Sequence, residues 1–137
     1  MASSKALLDT SILSAIMKGI PGVMPRARAY LADHGAFSFS GLTRYEILRG
    51  LKAKNAVAQS AAFDRLCAAS EVLPLTDDVI VKAAEVYADL KLRGALIGDG
   101  DILIGATALV HGLTIATDNE KHFRRISGLP VDNWLRG

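Results

Sequence analysis

The sequence predicts an α/β domain in which a central, mainly parallel sheet is flanked by helices. Short apolar runs alternate with segments of helical periodicity along the chain, and no internal repeat, low-complexity segment or linker separates them. The length of 137 residues suits one compact domain over residues 1–137 with a sizeable core. Half of the residues are hydrophobic and 22% are charged, a composition that excludes an intrinsically disordered chain.

Two strand–helix units are predicted in the first half of the chain. Thr10 or Ser11 can cap a helix after the first strand, and Gly and Pro residues mark helix ends and loops. In order, the predicted elements are a strand over 5–8, a helix to Lys18 that stops at Gly19, a short helix from Pro25 to near Gly35, a strand over 36–40 and a helix that ends near Gly50.

The second half continues the alternation. Thr76 is a good helix cap, and the two acidic residues after it favour a helix N-terminus through the dipole. Gly98 to Gly100 predict a turn before a helix that Asp101 opens. In order, the predicted elements are a helix over about 57–69, a strand over 71–73, a helix over 79–93, the helix from Asp101, a central strand over 113–117 and an edge strand over 130–134.

Composition also bears on the compartment. The single Cys67 cannot form an internal disulfide, so a reducing cytosol is the simplest environment. Asp9 falls inside what would be the apolar region of a signal peptide, which argues against secretion. The stretch over 102–117 lacks Asp, Glu, Lys and Arg but is shorter than the ~20 residues that span a bilayer. We therefore expect a cytoplasmic protein with no membrane partner.

Four widely separated carboxylates lie where strands end or helices begin, at Asp9, Glu46, Asp101 and Asp118. In open α/β sheets, ligands bind outside the carboxyl ends of parallel strands, where residues distant in sequence meet. Carboxylate and water oxygens are the ligands that Mg²⁺ and Mn²⁺ prefer. The pattern therefore indicates a site for Mg²⁺ or Mn²⁺. Asp101 is the clearest candidate, because the next ten residues of its helix carry no charge.

Each acid also has a purely structural explanation. Asp9 can help to start the helix that follows its strand. Glu46 comes three residues after Thr43, which matches the capping-box pattern of a helix N-terminus. The sequence alone leaves both explanations open for Glu46.

The two remaining acidic positions are weaker. Thr117 and Glu120 also match a capping box, in which Asp118 would be only a first-turn anion favoured by the helix dipole. Asp99 lies two residues before Asp101 in a Gly-flanked turn, where its side chain is free to face water. We expect Asp118 to matter more than Asp99.

Basic residues cluster beside two of the acids. The formal net charge is only +2, too small to indicate a nucleic-acid-binding protein from bulk charge. Local cations could still hold a polyanion, since phosphate contacts supply most sequence-independent affinity. The ordinary alternative is a solvated helix face, and Arg49 lies three residues after Glu46, where a salt bridge is natural. The candidates for phosphate contact are Arg44, Arg49, Lys121 and Arg124.

Four short motifs surround these acids in order along the chain. They are residues 7–11 (Leu-Leu-Asp-Thr-Ser), 40–50, 97–108 and 116–119 with Phe123, followed by residues 128–131 (Gly-Leu-Pro-Val) and Trp134. In this combination the chain resembles the PIN domain, and within it the VapC-like toxins of bacterial toxin–antitoxin pairs. The resemblance covers essentially the whole chain.

The resemblance implies a three-layer PIN-like fold and a metal-dependent endoribonuclease that cuts structured RNA and inhibits translation. It also implies a VapB-like antitoxin whose peptide covers the site, and a homodimer. Carried over by position, the family's catalytic and metal-binding roles fall on Asp9, Glu46 and Asp101, its variable fourth acid on Asp118 or one residue later on Asn119, and its hydroxyl beside the first acid on Thr10 or Ser11.

Two other classes remain open at this stage. A receiver-like signalling domain also gathers acids at strand ends, but it needs a phospho-accepting Asp after a middle strand, and here Pro74 follows the strand over 71–73. A catalytically silent PIN-like module that binds RNA or protein is harder to exclude. Metal-dependent cleavage by the isolated chain separates the silent module from the nuclease.

Overall fold

The computed structural model describes residues 4–136. It alternates strands and helices, as the sequence predicts. The strands are β1 (Ala6–Leu8), β2 (Ser38–Ser40), β3 (Glu71–Leu73), β4 (Thr114–Ala116) and β5 (Val131–Asp132). The helices are α1 (Thr10–Met17), α2 (Met24–His34), α3 (Gly41–Ala53), α4 (Val57–Ala68), α5 (Asp77–Leu92), α6 (Asp99–Val110) and α7 (Glu120–Phe123).

Every strand pairing in the described chain is parallel. β4 lies between β1 and β5 in one sheet, while β2 pairs with β3 in a second. β1 also contacts β2, so the two sheets lie side by side. Because parallel strands share a direction, the residues after β1, β2 and β4 emerge at one edge. The predicted central and edge strands are present as β4 and β5, but β4 is shorter than the predicted 113–117 and β5 covers only Val131–Asp132 of the predicted 130–134.

Helices cover both faces of this layer. Along β1, Leu8 packs into a core with α1 to α4, whereas Leu7 faces the opposite core with α5 and α6. β4 divides in the same way, with Ala116 in the first core and Ile115 in the second. Successive strand residues point to opposite faces, so apolar runs without polar alternation are what a sheet buried on both faces requires. The predicted arrangement of a sheet between helical layers is confirmed.

Two predicted ends were wrong. α3 does not stop near Gly50 but continues to Ala53, where Asn55 ends it with a left-handed φ of 51°. A Cβ at Gly50 would meet nothing within 4 Å, so this glycine serves no close approach and simply remains helical. β2 is confined to Ser38–Ser40 rather than 36–40, although Phe37 is still buried in the core.

α1 and α3 both begin with a side-chain cap. Asp9 caps α1 because its carboxylate accepts the Thr10 N–H, which confirms the structural explanation offered for Asp9 and shows that the prediction of Thr10 or Ser11 as the cap was wrong. Ser40 caps α3 through the Thr43 N–H, which places Glu46 in the second turn and rules out the predicted capping box. These caps sit immediately after β1 and β2, where the chain turns from strand to helix without a loop.

At the other two acids the helix starts also differ. α6 begins at Asp99, with Gly98 as its extended N-cap, so the predicted turn over 98–100 is the first turn of the helix. α7 has Asn119 at its N-cap and no side-chain cap, so the second predicted capping box is absent and Asp118 precedes the helix. No helix within residues 4–136 is long and apolar enough to cross a membrane.

Candidate active site

Asp9 forms the buried end of the site. It follows β1 directly, and its backbone N–H donates to the Ala116 carbonyl at 2.8 Å, which extends the β1–β4 ladder by one residue. One carboxylate oxygen accepts the Thr10 N–H at 2.8 Å. The other accepts hydroxyl hydrogen bonds from Ser11 at 3.0 Å and from Thr117 at 2.7 Å. Only 5% of Asp9 is exposed, so these donors fix the carboxylate in place.

The surroundings of Asp9 oppose its ionisation. Burial raises the pKa of the Asp9 carboxyl above its usual value, and the negative charge of Asp101 acts in the same direction. The hydroxyl groups of Thr117 and Ser11 and the Thr10 N–H partly offset this by binding the carboxylate. A cation between the two aspartates would relieve both causes of the shift, because it would stabilise the charged form.

Glu46 reaches the same place from α3. The Thr10 hydroxyl donates to Glu46 Oε1 at 2.6 Å, and the buried Thr43 hydroxyl lies 3.1 Å from that of Thr10. On its other side Glu46 faces the first turn of α6, since a Cβ placed on Gly100 would lie 3.3 Å from Glu46 Oε2. Gly100 therefore lets α6 approach the Glu46 carboxylate closely.

Asp101 projects from the first turn of α6 and forms the open end of the site. Its side chain is 25% exposed. The Asn119 amide donates to Asp101 Oδ2 at 3.3 Å, and His122 Nδ1 lies 3.0 Å from the same oxygen. The helix dipole favours a carboxylate in this position.

Asp118 and Asn119 point in different directions. The Asp118 side chain is exposed and accepts a hydrogen bond from Asn133 Nδ2 at 3.1 Å, away from Asp101. Its backbone N–H donates to the Ser11 hydroxyl at 3.1 Å, which ties the start of α7 to the Asp9 end of the site. Asn119, the neighbouring candidate, is the residue whose side chain contacts Asp101 directly.

Two of the predicted phosphate contacts, Arg44 and Arg49, lie on α3. Arg44 donates to Cys67 Sγ at 3.0 Å on α4, on the side of α3 opposite Glu46. This follows from helical geometry, because residues two apart are about 200° apart around the axis. Arg49 lies over the Tyr45 ring at 5.3 Å from its centroid.

The cations on α7 are nearer to Asp101. Arg124 pairs with Glu120 at 2.9 Å, and Lys121 is exposed on the same short helix as His122. Asp99, the weaker acid, is exposed at the first residue of α6. Of the residues on α7, His122 is the one that contacts Asp101 directly.

Comparison with known proteins assigns the family. Residues 6–129 match the PIN-domain family model. The chain belongs to the PIN-domain family. Ribonuclease VapC1 of Methanocaldococcus jannaschii is 30% identical over 90% of this chain and 82% of that protein. The tRNA(fMet)-specific endonuclease VapC of Shigella flexneri is 28% identical over 95% of this chain and 98% of that protein. The resemblance recognised in the sequence is thus confirmed.

Solved PIN-domain structures agree with this fold. The structure of VapBC-1 from nontypeable Haemophilus influenzae matches with a TM-score of 0.82 and 26% identity, over 94% of this chain and 97% of that one. VapBC2 from Rickettsia felis, bound to a DNA fragment from their promoter, gives a TM-score of 0.84 at 24% identity, over 94% of this chain and 98% of that one. The receiver-like alternative is thereby excluded.

Several PIN-site residues were missed from the sequence. Thr43 and Thr117 hydrogen-bond within the acid network, Asn133 holds Asp118, and His122 contacts Asp101. The three histidines have no metal-ligand spacing to one another, and a histidine that meets an aspartate distant in sequence leaves no local signal. Thr43 and Thr117 did stand out, but as members of capping boxes that do not form.

The donor chemistry of the site fits a hard divalent cation. Carboxylate oxygens from Asp9, Glu46 and Asp101 converge here, with hydroxyl and amide groups around them. Within residues 4–136, no three His, Cys, Asp or Glu side chains surround one point closely enough to coordinate an ion alone. Mg²⁺ is commonly held by one or two carboxylates and several waters. The site thus fits an ion bound partly through water.

A groove leads away from the acids between α1, α3 and α4. Thr10 and Glu46 lie at one end, and the cavity has a volume of about 400 Å³. Its wall is apolar and its rim carries Lys18 and Lys54. The remaining lining residues are Ser14, Met17, Ile47, Gly50, Leu51, Ala56 and Gln59.

Proposed function

We propose that this chain is a Mg²⁺- or Mn²⁺-dependent endoribonuclease that cleaves structured RNA as the toxin of a toxin–antitoxin pair and so inhibits translation. One observation carries the proposal: Asp9, Glu46 and Asp101, distant in sequence, meet at one edge of the sheet. Hydrogen bonds through Thr10 link Asp9 to Glu46. Hydrogen bonds through Thr117 and Asn119 link Asp9 to Asp101. Membership of the PIN family and relatives named ribonuclease support it.

The roles of the residues follow from their positions. A bound divalent ion would supply a water of lowered pKa for attack on the phosphodiester and would stabilise the leaving oxygen. Asp9 and Asp101 would hold that ion from the buried and open ends of the site. Glu46, oriented by the Thr10 hydroxyl, would hold its outer waters or accept a proton. The fixed Asp9 carboxylate limits the reorganisation that binding requires.

RNA would enter from the open end, where Asp101 is accessible. Lys121 on α7 and Arg124 at its C-cap are exposed, and we propose that they contact the phosphates on either side of the cleaved bond. Arg49 lies farther along α3 and would contact a more distant phosphate. Arg44 is engaged by Cys67, so we expect it to contribute least of the four.

The groove between α1, α3 and α4 would receive the antitoxin. Its apolar wall suits the apolar face of an amphipathic VapB-like segment, and the rim lysines suit acidic side chains of that segment. A basic side chain entering at the Glu46 end would replace the charge of the metal and block RNA. We also propose a homodimer and a cytoplasmic location.

The decisive experiment measures cleavage of folded tRNA by the purified chain with Mg²⁺, with Mn²⁺ and with excess chelator. Cleavage that requires either metal, and that disappears in Asp101→Asn but not in the neighbouring Asp99→Asn, is the expected result. A folded wild-type chain that binds RNA without cutting it in either metal would instead identify a catalytically silent PIN module.

The partner is tested by coexpression with the product of the adjacent small gene. We expect growth arrest by the chain alone, and both copurification and restored growth when the two are produced together. Persistent toxicity despite stable copurification would rule out neutralisation by that partner. Light scattering on the purified chain gives the number of subunits.

A further inference from the structure

His122 makes a contact in the acid site that the proposed reaction does not use. Its Nδ1 lies 3.0 Å from Asp101 Oδ2 and 2.8 Å from the Asn119 amide nitrogen. The same amide nitrogen lies 3.3 Å from Asp101 Oδ2. Three polar atoms from three residues therefore lie within 3.3 Å of one another.

As the Asn119 amide is oriented, its hydrogens face both other atoms, so Nδ1 and Asp101 Oδ2 lie together as two acceptors. With a proton on His122 Nδ1, the imidazole donates to Asp101, but it then faces the amide hydrogens of Asn119. Without that proton, the Nδ1 lone pair accepts from Asn119 but lies 3.0 Å from the lone pairs of Asp101 Oδ2. A cation shared by Nδ1 and Oδ2 removes the conflict between those two atoms, and Asn119 keeps its hydrogen bond to Asp101.

The separation of the two atoms also matches that of a ligand pair. Two ligands about 2.1 Å from an ion, at the right angle of octahedral geometry, are about 3.0 Å apart. We propose that His122 is a metal ligand through Nδ1, beside Asp101, and that it shifts the preference of the site from Mg²⁺ towards Mn²⁺ and other transition-metal ions. The proposal rests on the metal dependence proposed above.

The core fixes the imidazole in this position. Phe123, the next residue, is fully buried, and a Cβ at Gly105 of α6 would lie 3.7 Å from its ring. α7 is thereby held against the helix that carries Asp101. The His122 side chain is 41% exposed, so the imidazole is accessible to water.

The chemical reason for selectivity lies in the donor atom. Imidazole nitrogen suits transition-metal ions such as Zn²⁺, Fe²⁺ and Ni²⁺. Mn²⁺ prefers oxygen, but as a transition-metal ion it accepts an imidazole nitrogen more readily than Mg²⁺, which takes oxygen ligands and retains its waters. A site of carboxylates alone would bind both ions through oxygen. A nitrogen ligand next to Asp101 therefore adds affinity for Mn²⁺ that Mg²⁺ does not share.

The test compares Mn²⁺ and Mg²⁺ binding by wild type, His122→Ala, His122→Asn and the control His111→Ala. His111 is exposed at the other end of α6. Free Mn²⁺ is measured by electron paramagnetic resonance, with Mg²⁺ as competitor, at about pH 8, where imidazole is neutral. We expect His122→Ala to lower the affinity for Mn²⁺ at least about tenfold, the usual minimum for the loss of even a residue that only hydrogen-bonds to a metal ligand. Mg²⁺ binding should change much less, and His111→Ala should match wild type.

The asparagine variant separates a ligand from a hydrogen-bond donor. Its side-chain amide would reproduce a donor at the Nδ1 position but not a strong metal ligand, so His122→Asn should lose the Mn²⁺ preference as His122→Ala does. Retention of both metal affinities by His122→Asn would overturn the proposal. Equal loss of Mn²⁺ and Mg²⁺ affinity in His122→Ala would overturn it as well.

Electron spin echo modulation of bound Mn²⁺ gives a direct signature. In protein labelled with ¹⁵N-histidine, we expect coupling to a bonded nitrogen in wild type and His111→Ala, and none in His122→Ala. Absence of that coupling in wild type would refute nitrogen ligation. If the coupling is present but RNA is not cut, the nuclease function fails while the ligand assignment stands. If RNA is cut but the coupling is absent, the ligand assignment fails while the nuclease function stands.

Discussion

The two aspartates of the site lie in contrasting surroundings. Asp9 is 5% exposed, and the Thr10 N–H and the Ser11 and Thr117 hydroxyls donate to its oxygens. The Asp101 side chain is 25% exposed, and an amide and an imidazole share one of its oxygens. The fold thus completes the environment of Asp9 before any ligand binds, whereas that of Asp101 is left for an ion and a substrate to complete.

This contrast explains why one small domain can be both stable and reactive. Hydroxyl donors recover part of the cost of burying the Asp9 carboxylate, and they hold it in a single orientation. Asp101 lies on a helix N-terminus, where the dipole stabilises its charge without enclosing it. Substitutions at the two ends should therefore affect activity alike but stability differently.

The largest expected effect is the loss of cleavage in Asp9→Asn, Glu46→Gln and Asp101→Asn. Each change keeps the side-chain shape and removes one charge from a site at which the proposed metal would contribute several kcal/mol of transition-state stabilisation. We expect kcat/KM for RNA to fall by at least about 100-fold, with circular dichroism unchanged. Asp99→Asn, on the same turn as Asp101, is the matched control. Full activity in a folded Asp101→Asn protein would remove Asp101 from the site.

A smaller loss is expected when the link between Asp9 and Glu46 is cut at Thr10. Thr10→Val keeps the shape of the side chain but removes the hydroxyl that donates to Glu46 at 2.6 Å. Such supporting contacts are typically worth about 10–100-fold in activity or metal affinity. Thr10→Ser retains the hydroxyl and should stay near wild type. Equal kinetics for the valine and serine variants would show that Thr10 does not orient Glu46.

The burial of Asp9 predicts that the stability of the metal-free protein depends on pH in an unusual way. The pKa of Asp9 is raised above 3.8 in the folded state. The stability that the protonated Asp9 carboxyl contributes to the fold is therefore fully present below pH 3.8 and is lost as pH rises through the folded pKa. In chelator, Asp9→Asn should melt close to wild type at about pH 3.5 and above wild type at neutral pH. Added Mg²⁺ should raise the wild-type Tm but not that of Asp9→Asn.

The exposed Asp99→Asn serves as the control for this measurement, because a surface substitution of this kind usually changes stability by no more than about 0.5 kcal/mol. A wild-type Tm that exceeds that of Asp9→Asn at neutral pH in chelator would contradict the stated cost of burying Asp9.

A modest effect is expected at the fourth acidic position. Asp118→Asn should lower cleavage more than Asp99→Asn, because Asp118 is held by Asn133 and precedes the residue that contacts Asp101. Weakening one hydrogen bond to a charged group costs about 1 kcal/mol, or roughly fivefold in rate. Parallel kinetics on the two variants give the ranking, and the reverse order would place the fourth position elsewhere.

The smallest effect concerns the packing that holds α7 against Asp101. A Cβ at Gly105 would lie 2.5 Å from Ile126 Cδ1, so Gly105→Ala should cost about 1 kcal/mol in urea unfolding. Ile126→Val removes that methyl group and should recover part of the loss in the double variant. Gly50→Ala, in an unobstructed part of α3, should instead stabilise by about 0.5–1 kcal/mol. Equal effects at both glycines would show that α7 can move away freely.

The sequence alone was enough to predict the layers of the fold and the places of the acids. Apolar runs bounded by Gly, Pro and capping residues are local patterns. The positions of β1, β4 and α5 could therefore be predicted close to those observed. The helix start at Asp99 and the Ser40 cap of α3 were missed because alternative starts lay within a few residues in the sequence.

What the sequence by itself determined is the set of acids and the edge at which they emerge, since strand direction and helix starts follow from short-range chemistry. Tertiary structure alone decided which oxygens face one another. It brought Arg44 against Cys67 of α4, directed Asn119 rather than Asp118 towards Asp101, and brought His122 within 3.0 Å of that carboxylate. The physical reason is that periodicity fixes the buried face of each helix, but the rotation and distance of one helix relative to another depend on how the whole core packs.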